Sequence, residues 1–376
     1  MRRTKCARDL RRTVCVDPSA SLPIAQAFSA LLIGAVGAGC SDVHLHAGSA
    51  PWGRQNGRIL KMNTAVLSAE EILDAIRISS QREVPQDAAS FEYSFDHGAA
   101  FRLRCHAFRD SEGWALAIRI VPAAVPSFLE LRLPPVIKVF AQARPGLVLV
   151  TGPMGSGKST TAAAMLQYLA SQEAAHIVTL EEPIEYRISG AQSCVHQREI
   201  GRDTPNIQRG LKDALREDAD ILFVGELRDA NDLAVALHAA DMGISVLATL
   251  HTHGALATAN RLIAMHPVDQ QPNARERIAD SLRGVISQRL VPRRGGKGRV
   301  LATEVLVNNF SAKECLRDVA RSKGLTAVIE RGSDQGMHTL DQSLLSLCSA
   351  GLIDVEVAAS IANSPANLKR ALNLGV

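Results

Sequence analysis

The sequence predicts an α/β protein of two domains: an N-terminal α+β domain, then a larger one built on a mostly parallel sheet with helices on both faces. Three observations carry that expectation. At 376 residues the chain exceeds the ~100–200 residues usual for one domain. Aromatic residues make up only 4% against 46% hydrophobic residues in all, so the core rests on Ala, Leu, Val and Ile, which suits close helix-to-sheet packing. Fully apolar runs alternate with helical stretches over the second half, the pattern of parallel strands covered on both sides. With 21% charged residues, the composition matches neither a disordered chain nor a multi-span membrane protein.

In order along the chain, residues 1–20 form a basic tail, flexible by its composition. Arg2, Arg3, Lys5, Arg8, Arg11 and Arg12 stand there against the single acid Asp9 and by themselves exceed the chain's net charge of +4. The remainder is near neutral and has few aromatics to stack on bases, so no nucleic-acid partner is expected. Residues 21–38 read as a helix. The charge-free run 24–40 behind a basic tail also has the outline of a signal peptide or marginal anchor. It falls short of the ~20 residues that span a bilayer and holds three glycines, at 34, 37 and 39, which favours an alanine-rich core helix. Residues 42–46 alternate as a half-buried strand, Asn56-Gly57 marks a hairpin turn, and Ser68 with Glu71 makes a capping box that opens an amphipathic helix through Ser80. Strand-like runs at 91–95, 101–108 and 114–121 complete a first domain over 21–121. Pro122, Pro126, Pro134 and Pro135 interrupt any regular element, so 122–135 is the expected linker. The second domain, 136–376, has apolar strands at 147–151, 177–180, 221–224 and 245–250, a strand at 300–307 behind a basic, glycine-containing loop, and a helical segment from about 308 onward. Seven cysteines without a C-x-x-C pair point to neither a zinc ribbon nor a disulfide framework, and a reducing cytoplasm is the simple location.

Gly152-Pro153-Met154-Gly155-Ser156-Gly157-Lys158-Ser159, followed by Thr160, fits G-x-x-x-x-G-K-[ST] between an apolar strand and a helix-forming stretch. The glycines let backbone N–H groups converge on phosphates at a helix N-terminus. Lys158 adds a point charge at the β- and γ-phosphates, and the Ser159 hydroxyl is a ligand for Mg²⁺. ATP and Mg²⁺ are therefore the expected cofactors. Glu226 follows the strand 221–224, and strand carboxyl ends are where parallel sheets gather ligands, so it is delivered beside the loop as a general base for water. Glu181 and Glu182 close strand 177–180 in the same way, and Glu181 is a second candidate to hold Mg²⁺ or water. His251, after strand 245–250, can hydrogen-bond a γ-phosphate; read alone it serves as well as a satisfied structural histidine.

These elements, in this order and with the stretches IVTLEEPIEY, VHQREIGRDT, ALREDADILFVGELRD, TLHTHGA and ISQRL, resemble the secretion-ATPase superfamily. The specific resemblance is to the PilT-type twitching-motility ATPases that retract type IV pili, over about residues 25–350. It implies a PAS-like first domain joined to a RecA-like ATPase domain in a hexameric ring, with ATP held between domains and at subunit boundaries. Lys158 and Ser159 then take the phosphate-loop roles, Glu226 the Walker B role, Glu181 the acidic-box role and His251 the histidine-box role. Arg104 and Arg119 match the first-domain arginines that reach the phosphates. The implied partners are a homohexamer and an inner-membrane platform protein, at the inner face of that membrane, with the basic tail as a candidate contact to the platform or to anionic lipid.

Four features depart from the family. Glu182 replaces an aspartate, Ile244 replaces a second histidine, residues 311–317 replace an Ala-Ile-Arg-Asn-Leu-like signature, and the basic tail is an addition. The alternatives to retraction are an assembly or export motor of a type II, type IVB or conjugative system, a nucleic-acid motor, and a non-hydrolysing ring subunit.

Overall fold

The computed structural model describes residues 24–373 except 56, 57, 82, 86, 99, 100, 123, 143 and 297; the basic tail and the Asn56-Gly57 turn lie outside the described residues. The chain divides into two compact units between Ala124 and Val125.

The first unit runs α1 (Ile24–Gly37), β1 (Cys40–Leu45), β2 (Trp52–Gln55), β3 (Arg58–Lys61), α2 (Ala69–Ser80), β4 (Ser90–His97), β5 (Phe101–Asp110) and β6 (Gly113–Pro122). Its strands form one antiparallel sheet in the order β3-β2-β1-β6-β5-β4. Both helices pack on it for the same reason. Phe28, Leu31, Leu32 and Ala35 of α1, and Ile72, Ala75, Ile76 and Ser79 of α2, recur at i, i+3, i+4 and i+7 and are buried. The apolar members of both stripes join Val43, Leu45, Leu103, Cys105, Leu116 and Ile118 from one face of the sheet in a single core. The charge-free segment is thus a core helix. Among the described residues, no helix is long and apolar enough to cross a membrane. The capping box at the start of α2 is formed: Glu71 N donates to Ser68 Oγ at 3.2 Å and Ser68 N donates to Glu71 Oε2 at 2.7 Å. Because strand side chains alternate, Arg104 on β5 and Arg119 on β6 share the other face, directly opposite one another in register. There they pair with Glu92 at 3.2 Å and Asp42 at 3.0 Å respectively.

The second unit begins with two short helices, α3 (Phe128–Leu131) and α4 (Ile137–Phe140), within and just after the proline-rich stretch. There follow β7 (Gly146–Thr151), α5 (Lys158–Gln172), β8 (His176–Glu181), β9 (Cys194–Glu199), α6 (Ile207–Ala214), β10 (Ile221–Val224), α7 (Ala230–Asp241), β11 (Ser245–Leu250), α8 (Ala255–Ala264), α9 (Gln271–Ser281), β12 (Leu282–Pro292) and β13 (Arg299–Val307). The sheet order is β13-β12-β7-β11-β10-β8-β9, parallel throughout except for the β12–β13 pair. The four apolar runs are its buried centre, β7, β11, β10 and β8. Two strands were not visible in the sequence. β9 is a polar edge strand, and in β12 the residues Arg283, Ser287, Gln288 and Arg289 break up the apolar pattern. Gly284 is required in β12, since a Cβ there would stand 2.3 Å from Phe140 Cζ and 2.6 Å from the Leu306 carbonyl oxygen. The chain closes with α10 (Phe310–Arg317), α11 (Leu325–Arg331), α12 (Leu340–Ser349), α13 (Val355–Ile361) and α14 (Pro365–Asn373). The divergent 311–317 stretch lies in α10, where Arg317 Nη2 donates to Asp280 Oδ1 on α9 at 2.6 Å.

Leu32 is fully buried. The Leu32→Ala variant is expected to lose about 2–5 kcal/mol of stability, measured by urea unfolding of the full chain followed by circular dichroism.

Candidate active site

A parallel sheet delivers the carboxyl ends of its strands to one edge. Here Thr151 of β7 stands opposite Leu250 of β11, and Val224 of β10 stands opposite both Ala248 and Leu180. The ends of these four neighbours and the loops leaving them carry the phosphate-loop motif, Glu181, Glu226 and His251, so residues far apart in sequence meet at one edge.

The loop after β7 depends on three glycines with positive φ: Gly152 at 141°, Gly155 at 73° and Gly157 at 91°. Gly152 is the most constrained, because a Cβ there would lie 2.4 Å from the Gln288 carbonyl oxygen and 2.6 Å from Ser156 Oγ. Gly157 is the N-cap of α5, so Lys158, Ser159 and Thr160 occupy its first turn, where unpaired N–H groups and the helix dipole favour an anion. Met154 is exposed at the tip of the loop. Among the described residues, the buried hydroxyls of Thr151 and Ser156 have no hydrogen-bond partner. A glycine cradle, a helix N-terminus and orphaned donors together fit a polyphosphate.

Lys158 turns back over this loop. Its Nζ donates to the carbonyl oxygens of Gly152 at 2.9 Å and Pro153 at 3.1 Å, and to His251 Nδ1 at 3.2 Å. An ammonium has only protons to give, so His251 Nδ1 carries the lone pair and Nε2 the proton. That Nε2 lies 3.2 Å from Glu226 Oε1. Lys158, His251 and Glu226 therefore form one chain of close polar contacts, a hydrogen bond followed by an ion-pair contact. Burial pushes the Lys158 pKa below the usual lysine range, while the carboxylates of Glu226 and Glu185 oppose that shift.

Glu181 is held from two sides: Thr179 Oγ1 donates to its Oε1 at 2.7 Å and Gln197 Nε2 at 3.0 Å. Gln197 is on β9, and so the polar edge strand positions the acidic loop. Glu182 accepts from Arg228, whose Nε lies 4.0 Å from Glu226 Oε2. β12 and β13 brace the rest. Gln288 Nε2 donates to Thr161 Oγ1 at 2.8 Å, Gly254 N to Ser287 Oγ at 2.9 Å and Ala255 N to Glu304 Oε1 at 2.7 Å. Tyr186 OH lies 3.2 Å from Thr160 Oγ1, and burial raises its pKa, which keeps it neutral. Gln197, Arg228 and Gln288 lie inside stretches noted in the sequence as family-like, but only the fold shows what each one holds.

Ile244 immediately precedes β11 and His251 immediately follows it, so about 20 Å of extended strand separates them. Ile244 packs against the main core, away from the phosphate loop of its own chain. Arg104 and Arg119 belong to the first unit, where they pair with Glu92 and Asp42.

A family model described as "Type II/IV secretion system protein" matches residues 22–343. The chain belongs to this family. Among relatives of this secretion ATPase, the type IV pilus retraction ATPase PilT of Pseudomonas aeruginosa is 38% identical over 332 residues, which cover 88% of this chain and 96% of that protein. A twitching motility protein of Neisseria gonorrhoeae is 38% identical over 311 residues, 82% of this chain and 83% of its own. The crystal structure of the pilus retraction motor PilT with bound ADP superposes with a TM-score of 0.80 at 36% identity, covering 91% of this chain and 98% of that one.

Gly152→Ala places a methyl group against the Gln288 carbonyl, at a cost of about 1–3 kcal/mol from overpacking alone. The variant is expected to lose nucleotide binding, measured by titration with a fluorescent ATP analogue, while keeping its far-ultraviolet circular dichroism spectrum.

Proposed function

We propose that this secretion ATPase is the Mg²⁺-dependent, ATP-hydrolysing subunit of a type IV pilus retraction motor. It works as a homohexamer at the inner face of the bacterial inner membrane and drives a platform protein there. The observation that carries the hydrolysis is the Lys158–His251–Glu226 chain at the mouth of the phosphate loop. The extent of similarity to PilT supports the retraction role.

In this reading the N–H groups of 155–159 hold the phosphates, with Gly152, Pro153, Met154 and Thr160 completing the loop. Lys158 exchanges the carbonyl oxygens of Gly152 and Pro153 for phosphate oxygens, so the loop keeps the cation in place until nucleotide arrives. Ser159 and Glu181 would hold Mg²⁺, which supplies charge neutralisation at the β- and γ-oxygens. Glu226 accepts the proton of the attacking water. When Lys158 shifts to the phosphates it leaves His251 Nδ1, so the histidine reports whether the γ-phosphate is present to the carboxylate that acts as base. Arg104 and Arg119 neutralise phosphate charge in the closed ring. Their exposed pairs with Glu92 and Asp42 are worth only about 0–1 kcal/mol each, so exchanging a carboxylate for a phosphate costs little.

Glu226→Gln is expected to bind ATP normally and to lose about 10²–10⁴-fold in turnover, and Lys158→Ala to lose turnover altogether. Steady-state phosphate release measures both; equal rates in the wild type and the two variants would show a non-hydrolysing subunit. Deletion of the gene is expected to leave cells hyperpiliated by pilus count, and bald cells would assign the motor to assembly instead. Light scattering of the ATP-bound protein is expected to give the mass of six chains.

A further inference from the structure

We propose that His176, Cys194 and His196 form a binding site for a transition-metal dication, zinc by its ligand chemistry, on the outer edge of the second unit's sheet. β8 and β9 run parallel, with His176 in register with Cys194 and Val178 with His196. Cys194 and His196 are two apart on one strand and so share a face, the face that His176 also presents. One ligand atom from each of the three residues lies within 4.8 Å of the other two. In a tetrahedral zinc site, with Zn–N ~2.0–2.1 Å and Zn–S ~2.3 Å, ligand atoms stand about 3.3–3.7 Å apart. Small rotations of Cys194 and His196, both exposed, bridge that difference.

The orientation of His176 carries the inference beyond mere proximity. Its Nδ1 lies 3.1 Å from the Asp218 carbonyl oxygen. A carbonyl can only accept, so Nδ1 bears the proton and the Nε2 lone pair points into the cluster, 2.8 Å from His196 Nδ1. Metal-ligating histidines are held in this way, through a backbone carbonyl on the ring nitrogen away from the metal. The carbonyl is itself fixed. Asp218 sits at φ 56°, and Asp220 Oδ2 two residues on accepts from His176 N at 2.8 Å. Two imidazoles and a thiolate suit Zn²⁺ or Co²⁺ rather than Mg²⁺, which prefers oxygen ligands. Three protein ligands leave the fourth position to water. Binding converts the Cys194 thiol to a metal thiolate and releases its proton to solvent.

This site is separate from the phosphate chemistry. His176 opens β8, whereas Glu181 closes it, so the cluster lies toward the amino ends of the strands and the active site at their carboxyl ends. Its occupancy would tie β9 to β8 and to the 218–220 turn.

The test is a titration of tag-free, nucleotide-free full-length protein with Co²⁺. The expected result is one equivalent bound with tetrahedral d–d bands and a thiolate-to-cobalt charge-transfer band, both displaced by Zn²⁺. Cys194→Ser is expected to abolish the charge-transfer band. His196→Asn is expected to weaken binding by at least the ~10-fold that loss of an outer partner costs. Zn²⁺ is expected to raise the melting temperature of the wild type but not of Cys194→Ser, with phosphate release the same in both proteins. No charge-transfer band in the wild type, or one that survives in Cys194→Ser, would overturn the site; neither outcome bears on ATP hydrolysis.

Discussion

Gly152 lies so near the backbone of Gln288 that no side chain fits between them, and much of the active site depends on that contact. It presses the phosphate loop against a strand that arrives late in the chain. Gln288 then reaches over to Thr161 on the helix that the loop opens, while Ser287 and Glu304 hold the N–H groups that follow His251. β12 is therefore a buttress. It sits between β7 and β13, is kept close by the missing side chain of Gly284, and fixes the loop and the histidine segment at once.

The charged groups at the site form one network. A buried lysine is costly unless its charge is met by hydrogen bonds or an opposite charge. Lys158 has both: two loop carbonyls, and a histidine that leads on to Glu226. The carbonyls are supplied by the backbone that must later receive phosphate, so binding is an exchange of partners and not the filling of an empty space. The polar edge of the sheet serves the same centre, since Gln197 of β9 orients Glu181.

The departures from family pattern also acquire physical meaning. Glu182 carries one methylene more than aspartate and engages Arg228, which stands beside Glu226. Ile244 adds to the apolar core at the far end of β11. The altered 311–317 stretch forms a helix tied to α9 through Arg317 and Asp280, at a distance from the phosphate loop in sequence and on a different layer of the fold.

Local chemistry was legible from the residues alone. The phosphate-loop glycines, the capping box at Ser68 and Glu71, the amphipathic helix it opens and the four apolar strands each depend on neighbours within a few positions, so local sequence specifies them. β9 and β12 were hidden because an edge strand, and a strand whose polar residues serve a site, lack the apolar run that marks a buried one. That Gln197 serves Glu181, that Gln288 braces the loop and that His251 lies between Lys158 and Glu226 is visible only in the folded chain. Such pairings join distant segments, and their geometry is set by sheet order and register, which no local pattern encodes.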